Sequence, residues 1–282
     1  MRMIRMGAFA SIPVVLVALV LCCTPAARAQ HSPDDMQGPP KYIYLTNTEL
    51  KPGTSGEFAK LESEEIDAMR AAKMPSYYFG MWSITGNSSR VLFFRGYDSF
   101  AEMEKLHGQM MDNAALAAVL RKDNAAEGQM EANHYGSIYE YQKDLSLNPP
   151  ELGEMRFMVI ELFDVNPGQE RAFEHLVKVY KKAYESSLPQ ANWVIFQKMY
   201  GEGSGTTYLL AIPLKSLGDV DGMEASGKTF AEKTGEDLLA TLRAQGPTVI
   251  KSEESDLFAF GTEISYVPDA WLTKYPDFWG KK

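Results

Sequence analysis

The segment FMVIELFDVNPG, residues 157–168, decides the fold. Its apolar run predicts a β-strand, and the Asn-Pro-Gly triplet that closes it predicts a tight turn. After this turn, apolar residues recur at steps of three and four, which is the spacing of a helix with one apolar face. They are Phe173, Leu176, Val177, Tyr180 and Tyr184. Two short strands follow at 193–200 and 208–212, so the order is strand, helix, strand, strand.

The same order occurs about 115 residues earlier, which indicates a tandem duplication. In the earlier copy a strand at 41–48 leads to a Pro-Gly turn at 52–53, a helix is predicted at 54–72, and strands are predicted at 77–84 and 90–97. Both copies then continue with two helical segments and a fourth strand. These lie at 100–107, 114–124 and 135–143 in the first copy, and at 216–223, 234–244 and 257–267 in the second. If the two helical segments of each copy are counted as one helical region, each copy has the order β-α-β-β-α-β, which is an α+β arrangement.

The N-terminal residues 1–29 have the three-part layout of a secretory signal peptide. Two arginines precede an apolar core at 12–21, and an Ala-Arg-Ala triplet ends at Ala29. The core is too short to cross a bilayer as a helix, which argues against the alternative of a membrane anchor. We therefore expect cleavage after Ala29 and export to the periplasm or the medium. Residues 30–40 are predicted to be a disordered leader.

The composition excludes several classes of function. Both cysteines, Cys22 and Cys23, lie in the predicted signal peptide, so the mature chain would have no disulfide, thiolate metal site or cysteine nucleophile. Signal removal takes away three arginines and changes the formal charge from 28 − 37 = −9 to 25 − 37 = −12. This acidic balance argues against nucleic acid and anionic membranes as partners. Five carboxylates are interpreted as the solvated face of the helix at 54–72: Glu57, Glu62, Glu64, Glu65 and Asp67.

The first strand has two different faces. Alternation puts Tyr42 and Tyr44 on one face and Ile43 and Leu45 on the other. We expect helices to cover the aliphatic face, and the tyrosine-bearing face to line a space between two sheets. On this hypothesis the residues that bind a small apolar or aromatic molecule are Tyr42, Tyr44, Tyr78, Trp82, Phe157 and Glu161. The alternative is that the aromatic residues only pack the core.

The element order, the two Pro-Gly turns and the Tyr-x-x-Asp strand exits at 141–144 and 266–269 resemble those of the dimeric α/β-barrel superfamily. This group includes EthD-like, NIPSNAP-like and antibiotic-biosynthesis-monooxygenase-like domains. The resemblance covers about residues 41–146 and 156–269.

That resemblance implies two tandem ferredoxin-like units, at 41–150 and at 151–282 with an aromatic C-terminal tail. Their sheets would face each other and form a single-chain α/β-barrel pseudo-dimer around a central cavity. Because such a barrel needs no second subunit, we expect a monomer or a weak homo-oligomer.

The resemblance also implies three kinds of chemistry. Haem-degrading members use an Asn, a Trp and a His, for which Asn47, Trp82 and His107 are present, but strand parity puts Asn47 on the face assigned to the helices. Haem-binding members similar to chlorite dismutase carry a histidine ligand in the later half, where only His175 occurs, on the polar side of its helix. We therefore predict no cofactor.

Cofactor-free monooxygenases and isomerases, the third kind, need a shaped pocket and one base or hydrogen-bond donor. His134 and Glu161 are the candidates for that role, and a structural role is the alternative for each. A buried Glu161 without a basic neighbour would have a raised pKa, because burial disfavours its charged form. The alternative is an ion pair of Glu161 with Arg95 or Lys198.

Neither a P-loop, a dinucleotide-binding glycine pattern, a nucleophile elbow nor a zinc signature occurs, and the histidines lack metal-ligand spacing, so we predict no metal. Three interpretations stay open: an exported protein that binds a small molecule, an enzyme that is cofactor-free or, less favoured, haem-dependent, and a structural or partner-binding protein. An open cavity would favour the first two, and a strongly shifted pKa inside it would favour an enzyme.

Overall fold

The structure, a computed structural model, describes residues 38–280. The predicted signal peptide and most of the predicted leader lie outside these residues. The first repeat contains β1 (Tyr42–Leu50), α1 (Ser55–Ala71), β2 (Tyr78–Ser83), β3 (Arg90–Tyr97), α2 (Phe100–Asp112), α3 (Ala114–Met130) and β4 (Glu131–Tyr141). The second contains β5 (Phe157–Val165), α4 (Glu170–Ser187), β6 (Val194–Tyr200), β7 (Thr206–Leu214), α5 (Gly218–Thr234), α6 (Glu236–Val249) and β8 (Ile250–Tyr266). The tail forms α7 (Asp269–Lys274) and α8 (Pro276–Trp279).

The eight strands close into one antiparallel barrel in the order β1-β3-β2-β8-β5-β7-β6-β4. Each repeat supplies four consecutive strands of it, and the two sheets join where β2 pairs with β8 and where β4 pairs with β6. Closure leaves no free sheet edge. The predicted single-chain α/β barrel with two ferredoxin-like units is therefore confirmed, and the barrel closes within one chain.

Local signals explain where the helices begin. Gly53 and Gly168, in the two Pro-Gly turns, have φ angles of 85° and 80°, a region that glycine adopts without steric cost. The Ser99 hydroxyl accepts a hydrogen bond from the Glu102 backbone amide at 3.0 Å and so caps α2. Helix α3 extends to Met130, beyond the predicted end at residue 124, because no breaker interrupts it. No helix among residues 38–280 is long and apolar enough to cross a lipid bilayer.

The aliphatic faces of the strands, not the tyrosine-bearing ones, fill the barrel. Ile43 and Leu45 of β1 are buried in one apolar cluster with Met158 and Ile160 of β5. The expected assignment of faces, and with it the expected central cavity between the sheets, was wrong. The interior of an eight-stranded barrel is narrow enough for side chains to fill it, and here Phe79, Phe94, Phe258 and Phe260 belong to the same buried cluster.

Polar residues occupy the inner face of the barrel beyond this apolar cluster. The Arg90 guanidinium of β3 pairs with the Asp256 carboxylate of β8 at 2.7 Å and with the Glu254 carboxylate at 3.1 Å. The Asn47 side chain donates to the Tyr135 hydroxyl at 2.7 Å, so Asn47 lies inside the barrel and not under the helices. The ion pairs of Arg90 therefore link the two repeats, and the hydrogen bond of Asn47 links β1 to β4 within the first repeat.

The aromatic tail packs on the barrel. Trp271 and Trp279 are buried in the cluster that fills the barrel, and the Trp279 ring lies edge-on to Phe260 at 5.9 Å. The Trp279 indole donates to the Gly153 carbonyl at 2.8 Å. The tail is thus part of the fold.

Candidate functional site

A cavity of about 880 Å³ lies in the second repeat, between the outer face of its sheet and helices α4, α5 and α6. Ligand pockets in proteins have volumes of about 300–1,000 Å³. The sheet contributes Phe163, Ile195, Tyr208, Leu210 and Ile212 to its walls, and the helices contribute Leu176, Val177, Tyr180, Tyr184, Met223 and Leu242. The lining is therefore mainly apolar and aromatic.

Two groups of stacked rings flank this space along α4. Phe173, near the start of α4, stacks on Tyr208 of the sheet with ring centroids 4.4 Å apart. Tyr184, near its end, stacks on Phe230 of α5 at 4.2 Å and meets Trp193 edge-on at 5.3 Å. Phe173, Tyr208, Tyr184 and Trp193 all line the cavity.

Glu161 is a partly buried carboxylate in the sheet wall of the cavity. It lies on β5 and has a pKa raised by burial and, to a smaller extent, by the negative charge of Glu253. Within the described part of the chain, no hydrogen bond or ion pair reaches its carboxylate. The predicted direction of its pKa is thus found, although Glu161 faces the helix layer and not the barrel interior.

The two proposed ion-pair partners of Glu161 are engaged elsewhere. The Arg95 guanidinium lies over the Tyr78 ring in the first repeat, 4.8 Å from its centroid. The Lys198 ammonium donates to the Glu202 carbonyl at 2.9 Å. The ion-pair alternative for Glu161 is therefore wrong.

The remaining charged groups of the lining are Lys215, Asp219 and Glu253. The Lys215 ammonium pairs with the Glu154 carboxylate, and Asp219 accepts from the Lys215 backbone amide at 2.7 Å. Glu253 is exposed on β8, beside the cavity rim. The only basic group of the lining within the described residues is thus already paired, which leaves the region around Glu161 negative.

The other predicted ligand-binding residues do not meet at one place. Tyr42 packs on Phe100 with ring centroids 4.9 Å apart, and Tyr44 lies exposed over Gly136 on the outer face of the first repeat. The Tyr78 hydroxyl donates to the Glu62 carboxylate at 3.3 Å. These tyrosines belong to the helix layer of the first repeat.

Trp82 also lies on that outer face, edge-on to Phe58 at 6.5 Å, with its indole donating to Glu263 at 2.7 Å. Strand alternation puts Phe157 on the outer face of β5, but the residue does not line the cavity. Of the six predicted residues, only Glu161 lies in the cavity wall.

No histidine of the described residues lines the cavity. His134 is exposed in the first repeat, where its ring contacts the Thr48 hydroxyl at 3.1 Å and the Glu131 carboxylate at 2.9 Å. His107 and His175 are exposed on their helices. The resemblance to the dimeric α/β-barrel superfamily implies haem for some members, but none of these histidines lies where it could ligate a haem bound in the cavity. Residues 38–280 also bring no three His, Cys, Asp or Glu side chains together in a group that could hold a metal ion.

The equivalent layer of the first repeat holds a buried acidic cluster that the sequence analysis missed. It consists of Glu62 and Glu65 on α1 and Asp123 and Glu127 on α3. The charge of Glu127 raises the pKa of Glu62 and of Glu65, and the charge of Asp123 raises that of Glu65 and of Glu127. Burial, helped by neighbouring carboxylates, raises the pKa of Glu65 to about 8 and that of Glu127 to about 7. Burial is also the main cause that raises the pKa of Glu62 well above its usual range.

The interpretation of Glu62 as part of a solvated face was therefore wrong, since it is only 7% exposed. A signal was present: Glu62 and Glu65 follow Phe58 by four and seven residues, so they lie on the apolar stripe of the helix.

Three solved structures illustrate the likeness of this chain to known proteins. A monooxygenase-like protein from Fusobacterium nucleatum matches with a TM-score of 0.51 and 11% identity, over 78% of this chain and 91% of that chain. An anthrone oxidase-like protein matches with a TM-score of 0.49 and 15% identity, over 78% and 92%. A monooxygenase-like protein from Lactobacillus acidophilus matches with a TM-score of 0.48 and 8% identity, over 81% and 99%. At these identities the likeness concerns the fold alone.

No protein-family model and no curated protein matches the sequence.

Proposed function

We propose that this chain, which has the dimeric α/β-barrel fold with two ferredoxin-like units in tandem, binds a small apolar or aromatic molecule in its second repeat. One observation carries the proposal: the cavity of about 880 Å³ combines aromatic walls with a carboxylate that has no partner among the described residues. Ligand sites are typically apolar, with a few polar groups that fix the ligand's orientation. Glu161 is such a group.

A neutral fluorescent probe, N-phenyl-1-naphthylamine, tests this proposal. We expect the wild-type protein to enhance its fluorescence with saturable binding. Val177→Phe adds a ring on the cavity wall, so we expect it to weaken probe binding about tenfold or more while the protein stays folded. Lys178→Phe adds the same ring at an exposed neighbouring position and serves as the matched control.

Equal binding by wild type and Val177→Phe would contradict the proposed location. Mass spectrometry of protein purified without refolding, together with its absorbance spectrum, would in parallel reveal any natural ligand that the protein retains.

A second function, cofactor-free oxygenation or isomerisation, is favoured by the raised pKa of Glu161. A carboxylate with a raised pKa in an apolar wall is a stronger base than an exposed one, and it could take a proton from a bound carbon or hydroxyl acid. Hydrogen–deuterium exchange into the bound ligand, present in wild type and lost in Glu161→Gln, would distinguish this enzyme from a binding protein.

We also propose that the protein is exported. The support is the sequence of residues 1–29, whose cleavage site would be Ala29. Intact-mass analysis of the exported protein should give a chain that begins at Gln30. A mature chain that keeps the apolar core at 12–21 would contradict export by signal cleavage.

A further inference from the structure

The carboxylate of Glu161 has an unusual environment. It lies in a wall formed mainly by apolar and aromatic side chains, and none of the described residues donates a hydrogen bond to it or pairs with it. An unpaired carboxylate that is partly removed from water costs free energy, and a cation or strong donor at this place would offset the cost.

The protein's own basic groups near the cavity are engaged. Lys215 pairs with Glu154, and Arg243 of α6 pairs with Glu236 at 3.2 Å. Glu253 adds a second negative charge beside Glu161 and contributes to the rise of its pKa. An anionic ligand would therefore meet repulsion at this place, whereas a cationic one would be attracted.

Aromatic rings line the same cavity as this carboxylate. They are Tyr180, Tyr184 and Trp193. Aromatic faces attract ammonium groups through their quadrupole, and the attraction grows when the site is shielded from water.

From these contacts we infer that the ligand of the cavity is a hydrophobic amine. Its ammonium group meets Glu161 and the neighbouring tyrosine rings, and its apolar body lies among the other aromatic walls. The inference rests on the proposed binding function and adds to it the charge of the ligand.

Three naphthalenes of nearly equal shape test the inference by fluorescence titration: 1-naphthylmethylamine, 1-naphthylmethanol and 1-naphthoate. For the wild type we expect the amine to bind about tenfold more tightly than the alcohol, and the carboxylate to bind most weakly. In Glu161→Gln we expect the amine to lose this preference while the affinity for the alcohol stays unchanged. Glu185→Gln, at an exposed position of α4 outside the cavity lining, removes a carboxylate of the same type and should keep the preference.

Calorimetry of the wild type gives a readout that does not depend on any variant. At acidic pH, where the raised pKa leaves part of the Glu161 carboxyl groups protonated, amine binding should release protons because an ammonium group favours the ionised carboxylate, and the observed heat should vary with the ionisation enthalpy of the buffer. The alcohol should release none.

The outcomes separate the two levels of the proposal. Carboxylate binding as tight as amine binding, or an amine preference that survives Glu161→Gln, would overturn the amine inference and leave the binding function intact. If neither the three naphthalenes nor N-phenyl-1-naphthylamine binds, the binding function itself is wrong.

Discussion

The two repeats share one backbone order but differ in the layer between helices and sheet. In the first repeat this layer holds Phe58, which is 1% exposed, together with the acidic cluster of α1 and α3. In the second repeat it holds a cavity with one partly buried carboxylate, Glu161. Duplication thus produced one filled layer and one hollow layer on the same barrel.

The offset of about 115 residues shows which substitutions accompany the difference. Glu62 and Glu65 of the first repeat correspond to Val177 and Tyr180 in the cavity wall of the second, whereas Thr46 corresponds to Glu161. The carboxylates therefore lie on the helix in one repeat and on the sheet in the other. The shared fold thus determines where the layer between helices and sheet lies, and the side chains determine whether this layer holds an acidic cluster or a cavity.

The largest expected effect concerns the acidic cluster. A carboxyl group whose pKa rises from 4.5 to about 7 on folding, as for Glu127, adds about 3 kcal/mol of stability at low pH. This contribution is fully present below the unfolded pKa and is lost as the pH rises through the folded value. Because the pKa of Glu65 is raised as well, to about 8, urea unfolding should give a free energy that is lower by about 3 kcal/mol or more at pH 9 than at pH 5.

Variants of the cluster sharpen this prediction. Glu65→Gln and Glu127→Gln remove groups with pKa values of about 8 and about 7, so each should flatten the decline of stability with pH. A decline that is as steep in both variants as in the wild type would mean that the first repeat's layer does not carry this pH dependence.

The second prediction adds volume to each layer. Val177→Phe places a larger side chain beside the cavity, so we expect its unfolding free energy to stay within about 1 kcal/mol of wild type. Ala117→Leu enlarges a side chain of α3 that is 1% exposed, and overpacking of this kind costs about 1–3 kcal/mol. Equal destabilisation of the two variants in urea unfolding would contradict the distinction between hollow and filled layers.

Much of the fold could be predicted from the sequence, because turns and periodicity are local. The Pro-Gly turns at 52–53 and 167–168, the helix stripe from Phe173 to Tyr184 and the duplication all follow from neighbouring residues. The choice of inner face could not be predicted, since alternation shows only which residues share a face. In a barrel wrapped by helices most of both faces is covered, so an apolar residue such as Leu45 is compatible with either side.

The cavity depends on contacts that are distant in sequence. Tyr184 of α4 meets Phe230 of α5 and Trp193 near β6, and no periodicity reports how closely such rings pack. The sequence pointed to Glu161 as a carboxylate on the strand face that was expected to line a cavity between the sheets; that face lies on the helix side, where Glu161 lines a different cavity.

The smallest expected effect on stability belongs to Glu161→Gln. The pKa of Glu161 is raised, so its contribution to stability is present at low pH and declines as the pH rises through the folded value. Glutamine has the same shape and no charge to lose. The variant should therefore match wild type at pH 5 and exceed its stability at pH 9, with thermal unfolding that corresponds to a difference within about 1 kcal/mol.

Ligand retention or turnover should change in the same variant, because the carboxylate is the polar anchor of the cavity wall. Glu185→Gln, at an exposed position of α4 outside the lining, provides the comparison for a loss of charge away from the cavity. If Glu161→Gln lost much of its stability and kept its ligand content, the role of Glu161 would be to stabilise the layer between helices and sheet in the second repeat. The cavity would then need a different anchor.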